Sequence, residues 1–286
     1  MSLYRLTGKP ELVAPVLIGA FDGWIDAAGA ATAAAGHIAG HGEAVVTFDG
    51  DLLFDYRSRR PVLDVIDGTL HELTWYELAI RRVRVDGRDI LVLRGPEPDF
   101  RWRELAGDVL ELALRFGVVE WVSLGAIPAA VPHTRPVPVL ATSSKPGLLR
   151  EDEQQGPAGL LRVPAAALSV VEMEVAGSGI PTVGFYAQVP PYVGGPNAAA
   201  TIALLEHLGR HLGVAFPVGS LPDEAMAQRG RLDAAVAQDD ETREYVERLE
   251  AMAGEERIPS GDELASEIER FLRGEAGGEP NPFGGR

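Results

Sequence analysis

The chain contains no cysteine, which excludes disulfides, thiol catalysis and zinc–thiolate sites together. Lysine is almost as scarce: Lys9 and Lys145 stand against 24 arginines. Coding bias explains that ratio more simply than a functional preference for guanidinium. Basic charge is short overall, with 26 basic and 42 acidic side chains leaving a net charge of −16. A surface of that sign repels phosphate backbones and anionic lipid, so neither nucleic acid nor membrane is expected as a partner. Long apolar runs are missing too. The longest early one, Leu12 to Phe21, is too short to span a bilayer and lacks a signal peptide's basic flank and cleavage site. A cytoplasmic location is expected.

Several chemical signatures are also absent. There is no G-x-x-x-x-G-K-[ST] loop, no G-x-G-x-x-G after a strand and no G-x-S-x-G elbow. His37 and His41 are four apart without the glutamate of a zinc-protease helix, and His207 and His211 repeat the spacing without a third ligand. They read as surface histidines. No cofactor and no metal are expected.

What remains is an ordinary globular composition, 46% hydrophobic and 24% charged over 286 residues, enough for one large domain with an appendage. Val16 to Gly40 opens the fold: a short apolar run, a turn (Gly19-Ala20-Phe21-Asp22-Gly23-Trp24-Ile25-Asp26) and an Ala/Gly helix. Asp26 fits a helix cap and Asp22 a turn former. Glu43 to Phe48 reads as a strand, Leu52 to Asp67, broken by Arg57-Ser58-Arg59-Arg60-Pro61, as an irregular excursion, and Leu70–Glu77 and Ala79–Val85 as short extended pieces. Asp86-Gly87 marks a hairpin turn into Asp89–Leu93, whose near-continuous apolar run suits a central parallel strand.

Asp99 is placed to cap a helix from about Phe100 to Phe116, apolar at Leu105, Val109, Leu112 and Phe116. Strands follow at Val118–Leu124, Val137–Thr142 and Ile180–Val189, with helices over Pro164–Ala176 and from the Asn197 cap to Leu212. The alternation predicts an α/β fold with a mostly parallel sheet sandwiched by helices. Residues 1–219 form that core, 220–273 an acidic helical extension (helices over 222–253 and 261–273) and 274–286 a disordered tail.

If the four strand-end loops open on one sheet edge, they bring together Asp22, Trp24, Glu97, Asp99, Arg101, His133, Thr134, Arg135 and Tyr192, with Asp26 and Trp102 beside them. Such a rim suits a small polar ligand: arginine for an anion, His133 or Asp22 for a proton, Trp24 or Tyr192 for a ring. No acid/base pair can be assigned within it, so catalytic residues stay unnamed.

Four stretches in order, GAFDGWIDAAGAA, RGPEPDFRW, LGAIPAAVPHTRP and GFYAQVPPYV, resemble the proteasome assembly chaperone 2 family, above all its actinobacterial members. The resemblance covers about residues 1–215. It implies a fold similar to purine nucleoside phosphorylase, self-assembly with a homotrimer favoured, a protein partner and a role in protein assembly or as a scaffold. Family members that dock on the proteasome use a C-terminal hydrophobic-Tyr-X tripeptide. This sequence closes Phe283-Gly284-Gly285-Arg286, so docking by that route is not expected. A non-enzymatic, self-associating protein is therefore the leading expectation. A small-ligand binder or enzyme of nucleoside phosphorylase type, using the rim, is the alternative.

Overall fold

A computed structural model describes residues 2–8, 10–156 and 159–254. In chain order the elements are β1 (Tyr4–Leu6), β2 (Val16–Asp22), a 3-10 turn (Ala27–Gly29), α1 (Ala30–Ala39), β3 (Glu43–Phe48), α2 (Gly50–Leu53), β4 (Val62–Ile66), β5 (Thr69–Thr74), β6 (Ala79–Val85) and β7 (Arg88–Pro96). They continue with α3 (Trp102–Phe116), β8 (Glu120–Pro128), β9 (Val139–Ser143), β10 (Gln154–Gln155), α4 (Ala167–Gly177), β11 (Thr182–Val189), α5 (Ala198–Leu212), α6 (Leu221–Gln238) and α7 (Asp240–Gly254).

Nine strands form one sheet in the order β1-β3-β6-β7-β2-β8-β11-β9-β10. The centre, β7-β2-β8-β11, is parallel throughout. Its strands are near-continuous apolar runs because both faces are covered. The expectation of a mostly parallel sheet needs correcting at the flanks. β1, β3 and β6 join antiparallel on one side, and β9 runs antiparallel to β11 on the other. For β6 the connection dictates this: the two residues between β6 and β7 permit only an antiparallel return. That turn, Asp86-Gly87, has positive φ at both positions (49° and 82°), the mirror-image geometry matched to strand twist.

Helices cover both faces. α1 and α5 pack Ala30, Ala34, Ile38, Leu204 and Leu208 against Ile18, Val92, Leu124 and Phe185. On the opposite face, α3 and α4 bury Leu105, Val109, Leu112, Leu168 and Val171 against Leu17, Leu91 and Trp121. The Trp121 ring sits so close to the β2 backbone that a Cβ at Gly19 would lie 2.5 Å from it.

Three local expectations are overturned. The supposed irregular excursion contains the end of α2 and the first strand of a two-stranded sheet, β4–β5. Asp99 does not cap α3: the cap position is Arg101, with left-handed backbone and no capping side chain. Asp99 instead accepts the Asp55 backbone N–H at 2.8 Å, fastening the loop before the hairpin. Finally, the helix expected over 222–253 breaks at Asp239, whose carboxylate takes the Thr242 N–H at 3.0 Å and starts α7. The expected helix over 261–273 and the tail after it lie outside the described residues.

Candidate functional site

Because β7, β2, β8 and β11 are parallel neighbours, their four following loops emerge at one edge of the sheet. The chain order reverses around β2, which places a topological switch point beside the Asp22–Asp26 turn. The rim is nevertheless divided into two halves with different partners.

In the first half the acids have structural duties. Asp26, 7% exposed, accepts the Ala31 N–H at 2.7 Å and also binds Thr32 through its backbone N–H and hydroxyl. These are orphan donors of the first turn of α1, so the carboxylate caps that helix from three residues ahead of its cap position. Burial raises the Asp26 pKa, and the three hydrogen bonds only partly offset it. Asp22 accepts the Glu97 N–H at 3.1 Å and pairs with Arg59 at 2.9 Å. Arg59 comes from the segment before the hairpin, and its guanidinium also lies 5.5 Å from the ring centre of Tyr76.

Glu97 takes the Ala167 N–H at 2.7 Å, tying α4 to the rim, and lies 3.5 Å from the Trp24 N–H. Trp24 is half-buried beside it. Arg101 makes a double contact with Glu104, and Trp102 donates its indole N–H to the Pro98 carbonyl at 2.5 Å. Neither Arg101 nor Asp22 is left as a free charge for a ligand.

In the second half, α6 and α7 pack on the loops. The Tyr192 hydroxyl accepts the His133 backbone N–H at 2.9 Å and lies 2.8 Å from His133 Nδ1. An oxygen that already accepts can donate its own proton to Nδ1, which leaves Nε2–H to donate to Asp233 on α6 at 3.1 Å. Burial pushes the Tyr192 phenol up to about 12. Thr134 donates to Glu250 on α7, and the Tyr192 ring meets Tyr245 edge-on at 6.1 Å. Gln228 reaches the Pro196 carbonyl at 2.8 Å. Arg135 is exposed and forms no ion pair with a described residue.

The expected site residues are thus present at one edge but fall into two groups held by different parts of the chain. Sequence reading missed Arg59, Asp233, Tyr245 and Glu250, because nothing local ties them to loops some 40 to more than 100 positions away. It also misplaced two histidines. His207 and His211 are mostly covered rather than surface groups: they contact Glu153 at 2.9 Å and Glu120 at 2.7 Å and flank the Phe185 ring. Among the described residues no cluster of His, Asp and Glu could hold a metal ion.

These features define a class: a three-layer α/β protein with a helical cap laid over half of its strand-end rim. The PAC2 family model matches residues 20–236, and the chain belongs to the PAC2 family. Among solved structures it is similar to a Mycobacterium tuberculosis protein of unknown function, with 31% identity and a TM-score of 0.84 over 94% of this chain and 96% of that one. A proteasome-assembly chaperone homologue from the same organism shows 36% identity and a TM-score of 0.73, over 81% of this chain and 99% of the other. The archaeal proteasome activator PbaB of Pyrococcus furiosus shares the fold alone, at 16% identity and a TM-score of 0.62, over 81% and 97% of the two chains. No match is found among curated proteins.

Proposed function

We propose that the protein is a self-associating, non-enzymatic member of the PAC2 family, acting in protein assembly or as a scaffold, with a homotrimer as the favoured form. The observation that carries this reading is the β4–β5 hairpin. Every residue of both strands is exposed, yet the hairpin carries Val62, Leu63, Val65, Ile66, Leu70 and Leu73. Leu70 is 72% exposed, and Trp75 at its base is 51% exposed. Alternate residues of a strand face opposite ways, so apolar side chains occupy both faces of a ribbon whose strands are exposed throughout. An isolated two-stranded hairpin is marginal in water. Contiguous exposed apolar surface of this kind is typical of an interaction site.

The duties of the rim residues support the non-enzymatic part, because Asp22, Asp26, Glu97, Asp99 and Arg101 are engaged in holding loops and helix ends. The similarity to a proteasome-assembly chaperone homologue lends the assembly role its direction. The family resemblance adds to this reading a fold similar to purine nucleoside phosphorylase, which by itself implies no activity.

Light scattering after gel filtration tests it. The wild-type chain is expected to run at three times its monomer mass at micromolar concentration. The double variant Leu63→Lys, Leu73→Lys, which alters only exposed positions, is expected to run as a folded monomer. A monomeric wild type would overturn the reading.

A further inference from the structure

A second concavity lies beside the rim, between the 131–138 loop, α5 and α6, with a volume of about 720 Å³. That is within the usual range for small-molecule sites. Its charge is the reverse of the molecule's. Arg135 from the loop, Arg210 from α5 and Arg229 from α6 all line it, while Glu206 is the one acid among the lining residues. In a chain of net charge −16, three arginines lining one cleft from three separate elements stand out. Arg229 is loosely shared with Asp233 at 3.8 Å, Arg210 is near enough to Asp152 to favour its charged form, and Arg135 forms no ion pair with a described residue. Repulsion among three such groups in one concavity is relieved by an anion, and guanidinium forks match phosphate oxygens in geometry as well as charge.

His207 supplies a second kind of contact. Its ring lines the cleft, while Nδ1 lies 2.9 Å from Glu153 Oε2. Glu153 has a side chain only 1% exposed, and its other oxygen has no partner among the described residues. A buried carboxylate in that position fixes the ring and holds the proton on Nδ1, as it does for histidines that work through their other nitrogen. Nε2 is left without a described partner and acts as an acceptor. The remaining wall is apolar, from Ile202, Val137 and Met226.

We propose that this cleft binds a phosphorylated, hydroxyl-bearing small molecule, its phosphate held by Arg135, Arg210 and Arg229 and a hydroxyl donated to His207 Nε2. The inference does not depend on self-association.

Isothermal titration of the full chain with inorganic phosphate, ribose and ribose 5-phosphate tests it at fixed ionic strength. Ribose 5-phosphate should bind saturably, one per chain, and more tightly than inorganic phosphate, while ribose gives no saturable heat. Arg135→Gln and Arg210→Gln should each weaken both phosphates by roughly tenfold or more. His207→Phe should remove the advantage of ribose 5-phosphate over phosphate. Arg57→Gln, at an exposed position outside the cleft, should bind as the wild type does. Absence of saturable binding to the wild type, or unchanged affinity in both arginine variants, would overturn the site. Equal affinity for phosphate and ribose 5-phosphate in the wild type would overturn the His207 contact. Light scattering on the same samples separates a failure here from a failure of the assembly reading.

Discussion

At the scale of single residues, two buried aspartates show how environment decides what a carboxylate does. Asp89, 2% exposed, is opposed by burial, but the Val13 N–H at 2.9 Å and Arg82 at 3.0 Å outweigh that and hold its pKa below the usual range. A depressed carboxylate stabilises the fold above its unfolded pKa, and that contribution is lost as pH falls through the folded value. Asp89→Asn should therefore cost about 2 kcal/mol at neutral pH, and the deficit should shrink toward zero in acid. Urea unfolding at several pH values measures it.

Asp26 has the opposite sign. Its raised pKa means that the charged form is disfavoured in the fold, so its contribution is fullest below the unfolded pKa and declines as pH rises through the folded one. Asp26→Asn retains an oxygen acceptor for the α1 donors and removes that decline. The stability of the wild type relative to Asp26→Asn should fall as pH rises across this window. Asp26→Ala removes the cap itself and should cost about 1–2 kcal/mol below this window, with the deficit shrinking as pH rises through it.

At the scale of elements, legibility followed burial. β2, β7, β8 and β11 were readable because burial on both faces demands apolar runs, and α3 and α5 because one buried face repeats at helical spacing. Of the β4–β5 hairpin only the second strand was readable, as an extended piece from Leu70; β4 was not, since periodicity reports burial and this ribbon has none against the described residues. One local signal was there: Asp67-Gly68 has the same pair of positive φ angles, 49° and 77°, as the Asp86-Gly87 turn that was recognised. The adjacent Arg57–Pro61 stretch masked it. In the rim, His133, Tyr192 and their neighbours could be picked out as polar side chains on strand-end loops. Their division between two sets of partners could not, because His133–Asp233 and Thr134–Glu250 join loops to helices 100 and 116 positions away.

Those contacts make a prediction about α6 and α7. The Tyr192 hydroxyl serves both the backbone and the ring of His133, which in turn holds Asp233. Tyr192→Phe leaves the ring packing with Tyr245 intact but deprives His133 of this partner. Loss of one such buried link costs about 1–2 kcal/mol, felt locally by α6 and α7. Proteolysis should then cut the 221–254 segment several-fold faster, with cleavage of the β2–β8 core unchanged. Equal rates in both proteins would show that α6 and α7 are held by Leu221, Val236, Val246 and Leu249 alone.

At the scale of the whole molecule, net charge and exposed apolar surface act against each other. Copies that each carry −16 repel, and 220–286 alone holds 17 acids against 8 basic residues. Association between such chains therefore rests on surface that carries little charge, and the hairpin is the exposed element that fits. Its strands hold six aliphatic side chains, and the ionisable groups between them are few: Asp64, His71 and Glu72. Salt distinguishes this from a charge-complementary interface. Raising ionic strength from about 20 mM to about 500 mM shortens the screening length from beyond 20 Å to a few ångströms. Repulsion between copies weakens, while apolar burial is untouched or strengthened. The fraction of assembled protein at a fixed low micromolar concentration should accordingly rise with sodium chloride, as read by sedimentation velocity. An interface built on ion pairs would dissociate over the same range. Leu63→Lys, Leu73→Lys should stay monomeric at every salt concentration, since screening removes repulsion without restoring the apolar contact.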